Sequence, residues 1–550
     1  MSVAEFVGAA LARLGLRRCF GLVGSGNFEV TNAIIAAGVP YVASRHEGGA
    51  VTMADAYARV SGEVGLVSLH QGCGYTNAAT GIGEAAKSRT PLLVLAAEAA
   101  RSAVNSNFAM DQSGLARSVG ALAERVYSAG TALEDVVRAF RAARDQRRTV
   151  VLNLPLDIQA DRVDARLLER IPDPGALSPR PAGDAAIQRL ADAIERSERP
   201  VIVAGRGSRD AGPELRALAE QSGALLATSA VVKGLFRGDR FDLGISGGFS
   251  SPTTASLLQG ADLILGFGCA LNMWTMRHGG LIGEGALVAQ IDHEAEAIGR
   301  NRPVDIGVLG DTAATAEAVT RELAARGSAA ERYRSDEVAE RIAASARWAD
   351  IPYESISTPE RIDPRDLTLR LGELLPAERV LSIDSGNFMG YPSALLDVPD
   401  EQGFCFTQAF QAIGLGLATS IGAAFAQQNR LPVLGTGDGG FLMAIAELET
   451  AVRERIPLLV IVYNDAAYGA EVHHFGEGGA ELGTVTFPDT DIAALARGFG
   501  AEGITVRTVQ DLDAVREWLG SDPDRPLVID AKIASDGGAW WLKEAFVGHT

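Results

Sequence analysis

The stretch 431–471, LPVLGTGDGGFLMAIAELETAVRERIPLLVIVYNDAAYGAE, constrains the fold more than any other part of the chain. An apolar run, Leu431 to Leu434, meets a glycine cluster at Gly435, Gly437, Gly439 and Gly440. A helical pattern follows, with Leu442, Ile445, Leu448 and Val452 roughly on one face, and then a second apolar run from Pro457 to Tyr463. Strand, helix, strand predicts a βαβ unit with its two strands parallel in one sheet. Asp438 sits just past the first strand and Asp465 just past the second. In neighbouring strands, about 4.8 Å apart, both carboxylates emerge at one sheet edge. That edge, beyond the strand carboxyl ends, is where open α/β sheets bind ligands. Converging carboxylates repel unless a cation lies between them. Hard oxygen ligands favour Mg²⁺ or Ca²⁺, and Mg²⁺ commonly also takes phosphate oxygens. The amides of Gly439, Gly440 and Phe441 open the helix and can face a phosphate. Spacing alone is equally compatible with two acidic helix caps.

At 550 residues the chain has room for about three domains. Its 47% hydrophobic and 22% charged residues are those of an ordinary globular protein rather than a disordered one. A net charge of −19 argues against nucleic acid as a partner, because phosphate backbones need clustered Lys and Arg. Cys19, Cys73, Cys269 and Cys405 are scattered without a CxxC, which suggests neither a zinc site nor a disulfide framework. The opening MSVAEFVGAALARLG reads as an amphipathic helix, not a signal peptide, and no apolar run reaches membrane-spanning length. The expectation is a soluble cytoplasmic protein with no membrane partner.

Residues 1–165 alternate short apolar runs with helical patterns, and Gly24-Ser25-Gly26-Asn27 turns the first strand into a helix. Glu47 stands just past an apolar strand, at the start of a small-residue helix, where an acid is also favoured by the helix dipole alone. Residues 166–184 are rich in Pro and Gly and read as a linker. Residues 185–330 carry the strands PVIVAGRG, ADLILGFG and ALVAQID, and a charged helical stretch, roughly 328–350, leads into 360–550. The fold class expected is α/β, with three doubly wound parallel-sheet domains at 1–165, 185–330 and 360–550.

GDGG at 437–440 followed by ND at 464–465 resembles the signature of thiamine diphosphate enzymes, GDG, a gap, then NN. The resemblance implies metal ligation by Asp438, Asp465 and the carbonyl of Ala467, with Asp465 standing where asparagine is usual. It implies cofactor contacts from Gly437, Gly439, Gly440, Tyr468 and Gly469. RHEGGAVTMADAYARVSG is similar to the segment holding the family's glutamate, so Glu47 would bind N1′ of the aminopyrimidine. In SLHQGCGYTNA, Asn77 keeps the family asparagine while Cys73 replaces a proline. His70 and Ser25 fall where the benzoylformate decarboxylase branch places an active-site histidine and serine. RVLSIDSGNFMGY implies a second diphosphate contact at Ser385, Gly386 and Asn387. FTQAFQAIGLGLATSIGAAFA implies Ile413 wedged under the cofactor's bend and the Gln411 carbonyl accepting from the 4′-amino group. A packed glycine-rich helix start would also need an apolar residue at 413. AYGAEVHHF resembles the pyruvate decarboxylase branch, with Glu471 as proton donor. His473 and His474 point about 100° apart on a helix, so at most one faces the site. His278 matches a second branch histidine only loosely. In NFAMDQSGLARSVG, Phe108 takes the place of a glutamine typical of acetolactate synthases, and Gln112 is out of register. The aromatic tail GGAWWLKEAFVGHT either folds over the site mouth or packs on a subunit.

Taken together, the resemblance implies an enzyme using thiamine diphosphate and Mg²⁺ to decarboxylate a 2-keto acid, with release of an aldehyde or carboligation to a 2-hydroxyketone. The three domains would be pyrimidine-binding, central and diphosphate-binding. Sites would be shared between chains of a homodimer or homotetramer. Some relatives bind FAD in the central domain, but Gly205 and Gly207 do not form a dinucleotide fingerprint. Alternatives are an FAD-containing acetolactate synthase proper, a C–C lyase of another thiamine class, and a catalytically silent regulatory paralogue. The last typically loses residues equivalent to Glu47, Asp438 and Asp465, all present here.

Overall fold

The apolar runs fold as strands whose side chains are buried on both faces, the pattern of a parallel sheet covered by helices on either side. The computed structural model describes residues 1–171, 175, 178–328 and 331–542. The first sheet holds β1 Cys19–Leu22, β2 Tyr41–Ala43, β3 Gly65–Leu69, β4 Leu92–Glu98, β5 Leu122–Arg125 and β6 Thr149–Pro155. The second holds β7 Pro200–Ala204, β8 Leu225–Thr228, β9 Asp242–Ile245, β10 Leu263–Phe267, β11 Leu287–Asp292 and β12 Ile306–Leu309. The third holds β13 Arg379–Ile383, β14 Phe404–Phe406, β15 Leu431–Gly437, β16 Leu459–Asn464, β17 Glu502–Val506 and β18 Leu527–Lys532.

The first sheet runs β2-β1-β3-β4-β6-β5 and the third β14-β13-β15-β16-β18-β17, the same internal order. The second, β12-β11-β10-β7-β8-β9, has the order of dinucleotide-binding domains. Every paired strand is parallel, so the expected α/β class with three doubly wound sheets is what the chain adopts. Gly437 of β15 lies opposite Tyr463 of β16, which delivers Asp438 and Asp465 to one edge.

One local expectation fails. The pattern Leu442, Ile445, Leu448, Val452 is not one helix: Asp438–Met443 ends at Ala444, and a second helix runs Glu447–Arg453. Leu442 and Met443 are exposed while Leu448 is buried. The break lets Glu447 turn toward the backbone of Arg45 and His46, which a straight helix with one apolar face does not require.

Helix Glu47–Ser61 from the first part of the chain packs on helix Gly416–Ala426 from the last. Their backbones approach so closely that a Cβ at Gly422 would stand 2.1 Å from the Met53 carbonyl oxygen. A buried ionic cluster ties the same two parts together. Arg59 reaches Asp55 at 2.6 Å and Glu84 at 2.8 Å and donates to the Phe406 carbonyl at 2.9 Å. Glu84 accepts from the amides of Ala409 and Phe410 at 3.0 and 2.6 Å, fixing the loop that carries Gln411 and Ile413. The four cysteines are free thiols, Cys73 alone of them exposed. No helix among the described residues is long and apolar enough to cross a membrane.

Candidate active site

A cavity of about 590 Å³ opens at the carboxyl ends of β13, β15 and β16. Asp438 and Asp465 both line it, close enough for their carboxyl groups to hydrogen-bond. Burial, then the charge of Asp465, holds Asp438 well above the usual carboxylate range, and burial raises Asp465 as well. Two carboxyls forced together and away from water favour a divalent cation between them. The loop after β16 is tightly bent and internally bonded. The Asn464 side chain accepts from the Ala466 amide at 3.0 Å, Ala466 takes a left-handed φ of 58°, and Asp465 accepts from the Ala467 amide at 3.2 Å. Tyr468 donates to the Val485 carbonyl and Phe487 to the Ala466 carbonyl, and neither bond uses the Ala467 carbonyl oxygen. Among the described residues no three His, Cys, Asp or Glu side chains group as a metal site.

The glycines of the edge are sterically committed. A Cβ at Gly439 would lie 2.7 Å from the Tyr468 ring, one at Gly440 2.6 Å from Asp384, and one at Gly469 2.3 Å from Asp465. Across the cavity mouth, Gly386 has φ 152°. Asp384, which closes β13, is buried; it accepts from the Ser385 amide at 2.8 Å, from the Gly414 amide at 3.0 Å and from the Thr436 hydroxyl at 3.2 Å. Burial still pushes its carboxyl up to about 6, against those donors. Ser385, Gly386, Asn387, Gln411, Ile413, Gly437, Gly439, Gly440, Ala467, Tyr468, Gly469 and Glu471 all line this one cavity. Ile413 is 41% exposed, so it projects into the cavity rather than packing in a helix start. Asn387 contributes its backbone there, because its side-chain oxygen accepts from the Ala539 amide and its carbonyl accepts from the Trp541 indole, both at 3.1 Å. Trp541 and Leu542 thus join the cavity wall, and the rest of the aromatic tail, 543–550, lies outside the described residues.

A second group forms around Glu47, which is 8% exposed and accepts from the Asn77 side-chain amide at 3.0 Å. His46 caps the helix, its Nδ1 accepting from the Gly48 amide at 3.0 Å. Gly74 separates Glu47 from His70, since a Cβ there would lie 3.1 Å from both. His70 Nδ1 accepts from the Gly26 amide at 3.1 Å, which leaves the proton of the neutral ring on Nε2. Burial lowers the His70 pKa, with Glu47 opposing. Ser25, exposed, adjoins the Gly26 amide that His70 holds. Phe108 stacks edge-on against His70 with ring centroids 5.1 Å apart. Gln112 is spent internally: it accepts from the Gly72 amide at 3.1 Å and donates to Asn153 at 2.8 Å. Glu47, Asn77, His70 and Ser25 do not line the cavity that holds Asp438 of the same chain.

Three histidines of the sequence analysis are not at either group. His473 packs on the turn before the tail, 3.9 Å from Asp536, and a Cβ at Gly538 would meet its ring at 3.3 Å. Its helix starts at Gly469, which places Glu471 toward the cavity and turns residue 473 away. His474 packs its ring against Phe475 and does not line the cavity. His278 is exposed on a short 3₁₀ turn with φ 54°, outside the cavity wall. Gly205 and Gly207 serve loop packing, with Cβ positions 2.3 and 2.8 Å from Gly268. Sequence reasoning missed Glu447, Lys87 and Arg206, whereas Trp541 lies in the aromatic tail already singled out. A polar residue inside an apolar helical face was the one available signal for Glu447.

Comparison with known proteins matches three models to this chain in order. They are thiamine pyrophosphate enzyme, N-terminal TPP binding domain, over residues 1–117; the central domain over 187–319; and the C-terminal TPP binding domain over 384–531. The chain is 28% identical to sulfoacetaldehyde acetyltransferase of Rhodobacter capsulatus, covering 99% of this chain and 96% of that one. It is 29% identical to "Probable 2-ketoarginine decarboxylase" of Pseudomonas aeruginosa, covering 92% and 89%. To chloroplastic acetolactate synthase of Arabidopsis thaliana it is 24% identical, covering 96% and 80%.

Proposed function

This chain belongs to the thiamine pyrophosphate enzymes, and from that premise we propose that it decarboxylates a 2-keto acid and either releases an aldehyde or joins the fragment to a second carbonyl compound. The observation that carries the reading is the Asp438–Asp465 pair, buried at one sheet edge beside glycines that leave no room for side chains. Asp438, Asp465 and the Ala467 carbonyl would hold Mg²⁺. Gly437, Gly439, Gly440, Tyr468 and Gly469 would face the diphosphate from one side, and the backbone of Ser385, Gly386 and Asn387 from the other. Bound thiamine diphosphate supplies the carbon nucleophile and the electron sink for this chemistry.

The chain's own residues position and move protons. Ile413 projects from the loop fixed by Glu84 and would support the cofactor's bend, and the Gln411 carbonyl would accept from the 4′-amino group. Glu47 would exchange a proton with N1′, held in orientation by Asn77. His70, neutral with its proton on Nε2, would donate it to a developing oxyanion or carbanion, and Glu471, which lines the cavity, would do the same. Ser25 and His70 would bracket the substrate.

Glu47 and Asp438 belong to separate groups within one chain, so a complete centre needs Glu47 from a second copy. A homodimer, or a homotetramer built from two, supplies it. The domain bounds 1–165, 185–330 and 360–550 fit this division of labour. The names of the relatives span acyl transfer, decarboxylation and carboligation, consistent with a shared first half-reaction and different fates for its product.

The test is incubation of the thiamine diphosphate- and Mg²⁺-loaded protein with pooled 2-keto acids, alone and with aldehyde or keto-acid acceptors, with products identified by mass. Asp438→Ala should abolish Mg²⁺-dependent cofactor retention. Full cofactor occupancy without any carbon dioxide from the pool would instead identify a catalytically silent chain.

A further inference from the structure

The cavity is walled by all three parts of the chain, and its charges are few. Its charged lining residues are Asp438, Asp465 and Glu471 from the third part, Arg206 from the second and Lys87 from the first. The aspartates face the metal position and Glu471 the reacting end. Neither cation has such an assignment.

Arg206 follows β7 directly, and its backbone is held by Gly205, whose amide donates to the Phe267 carbonyl at 2.9 Å. Its side chain is exposed, yet burial by surrounding protein, with repulsion from Arg59 and Arg89, pushes its pKa down to about 10. Exposure and heavy surroundings coincide where a side chain lines an internal cavity. Among the described residues no carboxylate is within ion-pair distance of it. The nearest acids are engaged elsewhere: Glu294 pairs with Arg89 at 2.7 Å, and Asp292 accepts from the Glu294 amide at 3.0 Å and lies 3.5 Å from His293. Lys87, at the end of helix Ala79–Lys87, has its ammonium 5.1 Å above the Phe410 ring, on the loop that carries Gln411. It too is exposed and unpaired by any carboxylate among the described residues. A cation half-enclosed by protein and lacking a counter-ion is stabilised by an anion brought by a ligand.

We propose that Arg206 and Lys87 form an anion-binding wall of this cavity, so that the molecule processed here carries a second oxyanion group, a carboxylate, sulfonate or phosphate, away from its reacting carbonyl. This deepens the proposed function and rests on it for which end reacts. Binding at the wall does not depend on turnover. Guanidinium offers a bidentate fork to a planar or tetrahedral oxyanion, and the ammonium over Phe410 adds a point charge. A substrate with a cationic tail is repelled by the same wall.

The test titrates the thiamine diphosphate- and Mg²⁺-loaded protein by calorimetry with glutarate, pentanoate and inorganic phosphate. In parallel it compares kcat/KM for 2-oxoglutarate and 2-oxopentanoate. The expected result is glutarate bound at least tenfold more tightly than pentanoate, with Arg206→Gln and Lys87→Met each eroding that ratio. A matching loss in the kinetic preference should come through KM. Phosphate that competes with glutarate assigns the wall to a free inorganic anion as well as to a substrate arm. Phosphate that does not compete assigns it to the substrate arm alone. Equal binding of glutarate and pentanoate, or a preference that survives in both variants, overturns the proposal. If neither keto acid turns over while cofactor is retained, the decarboxylase reading fails, and the calorimetric ratio still decides this one.

Discussion

Glu447 and His46 stand 401 residues apart in the chain, and the Glu447 carboxylate accepts the His46 backbone N–H at 2.9 Å. It also accepts the Arg45 amide at 3.1 Å and the Thr450 hydroxyl at 2.7 Å, while only 2% exposed. Gly49 packs directly against it, with a Cβ position 2.2 Å from its oxygen. The backbone from which Glu47 departs is therefore set by a residue just past the glycine-rich edge of the third sheet. Glu447→Ala leaves two amides without their acceptor, at about 1–3 kcal/mol for each buried donor. Stability by urea unfolding and kcat should fall together, with Glu447→Gln, which keeps one acceptor oxygen, lying between. Wild-type kcat in the alanine variant would show that Glu47 needs no such support.

Glu47 and Asn77 should separate in their effects. Glu47→Gln keeps the volume and the Asn77 contact but cannot take a proton, so cofactor binding is retained while turnover drops by a factor on the order of 10² or more. Asn77→Ala leaves the carboxylate in place but free to rotate, with a smaller loss of about tenfold. Steady-state kinetics with direct measurement of bound thiamine diphosphate distinguish the two. Equal losses would mean Asn77 does more than orient its neighbour.

Proton and metal compete at the Asp438–Asp465 pair. Both carboxyls are raised, by burial first and for Asp438 next by its neighbour's charge. The cation-free fold thus gains stability as pH falls toward the unfolded carboxylate range and loses it as pH rises toward neutrality. A divalent cation needs the ionised forms, so it reverses that slope. Mg²⁺ affinity, read from cofactor retention at fixed cofactor, should weaken as pH drops below neutrality, by up to tenfold per unit for each proton displaced. A flat profile over that range would argue that the pair is not the metal site.

How far the sequence reached follows from which forces leave a pattern in it. Parallel strands buried on both faces write continuous apolar runs, so β15, β16 and the delivery of Asp438 and Asp465 to one edge were legible. Glycines at 439 and 440 were legible too, because close approach demands them. Contacts between distant segments leave no periodicity: Glu447 on His46, Glu84 on the loop before Gln411 and Trp541 on Asn387 each depend on one polar group meeting another across the fold. The same blindness explains His473, whose position beside Asp536 depends on where the tail returns. The apparent helix through Leu442 and Val452 misled because two short helices with a break share the same apolar spacing.

Gly440 is where steric demand should be most visible. A Cβ there would lie 2.6 Å from an Asp384 oxygen and 3.3 Å from the Ile413 methyl. Asp384 cannot swing aside without losing its bonds to Ser385, Gly414 and Thr436. Gly440→Ala should therefore displace either the Asp384 staple or Ile413, at about 1–3 kcal/mol of overpacking strain. Thiamine diphosphate affinity should fall at least tenfold. Gly437→Ala offers the contrast, because its Cβ would meet only the Phe388 ring, at 3.2 Å, a contact that a small tilt relieves. Cofactor titration of the two variants by intrinsic fluorescence, with thermal unfolding alongside, should rank Gly440→Ala as the more damaging by a clear margin. The reverse ranking would mean that Asp384 does not hold the cradle in place.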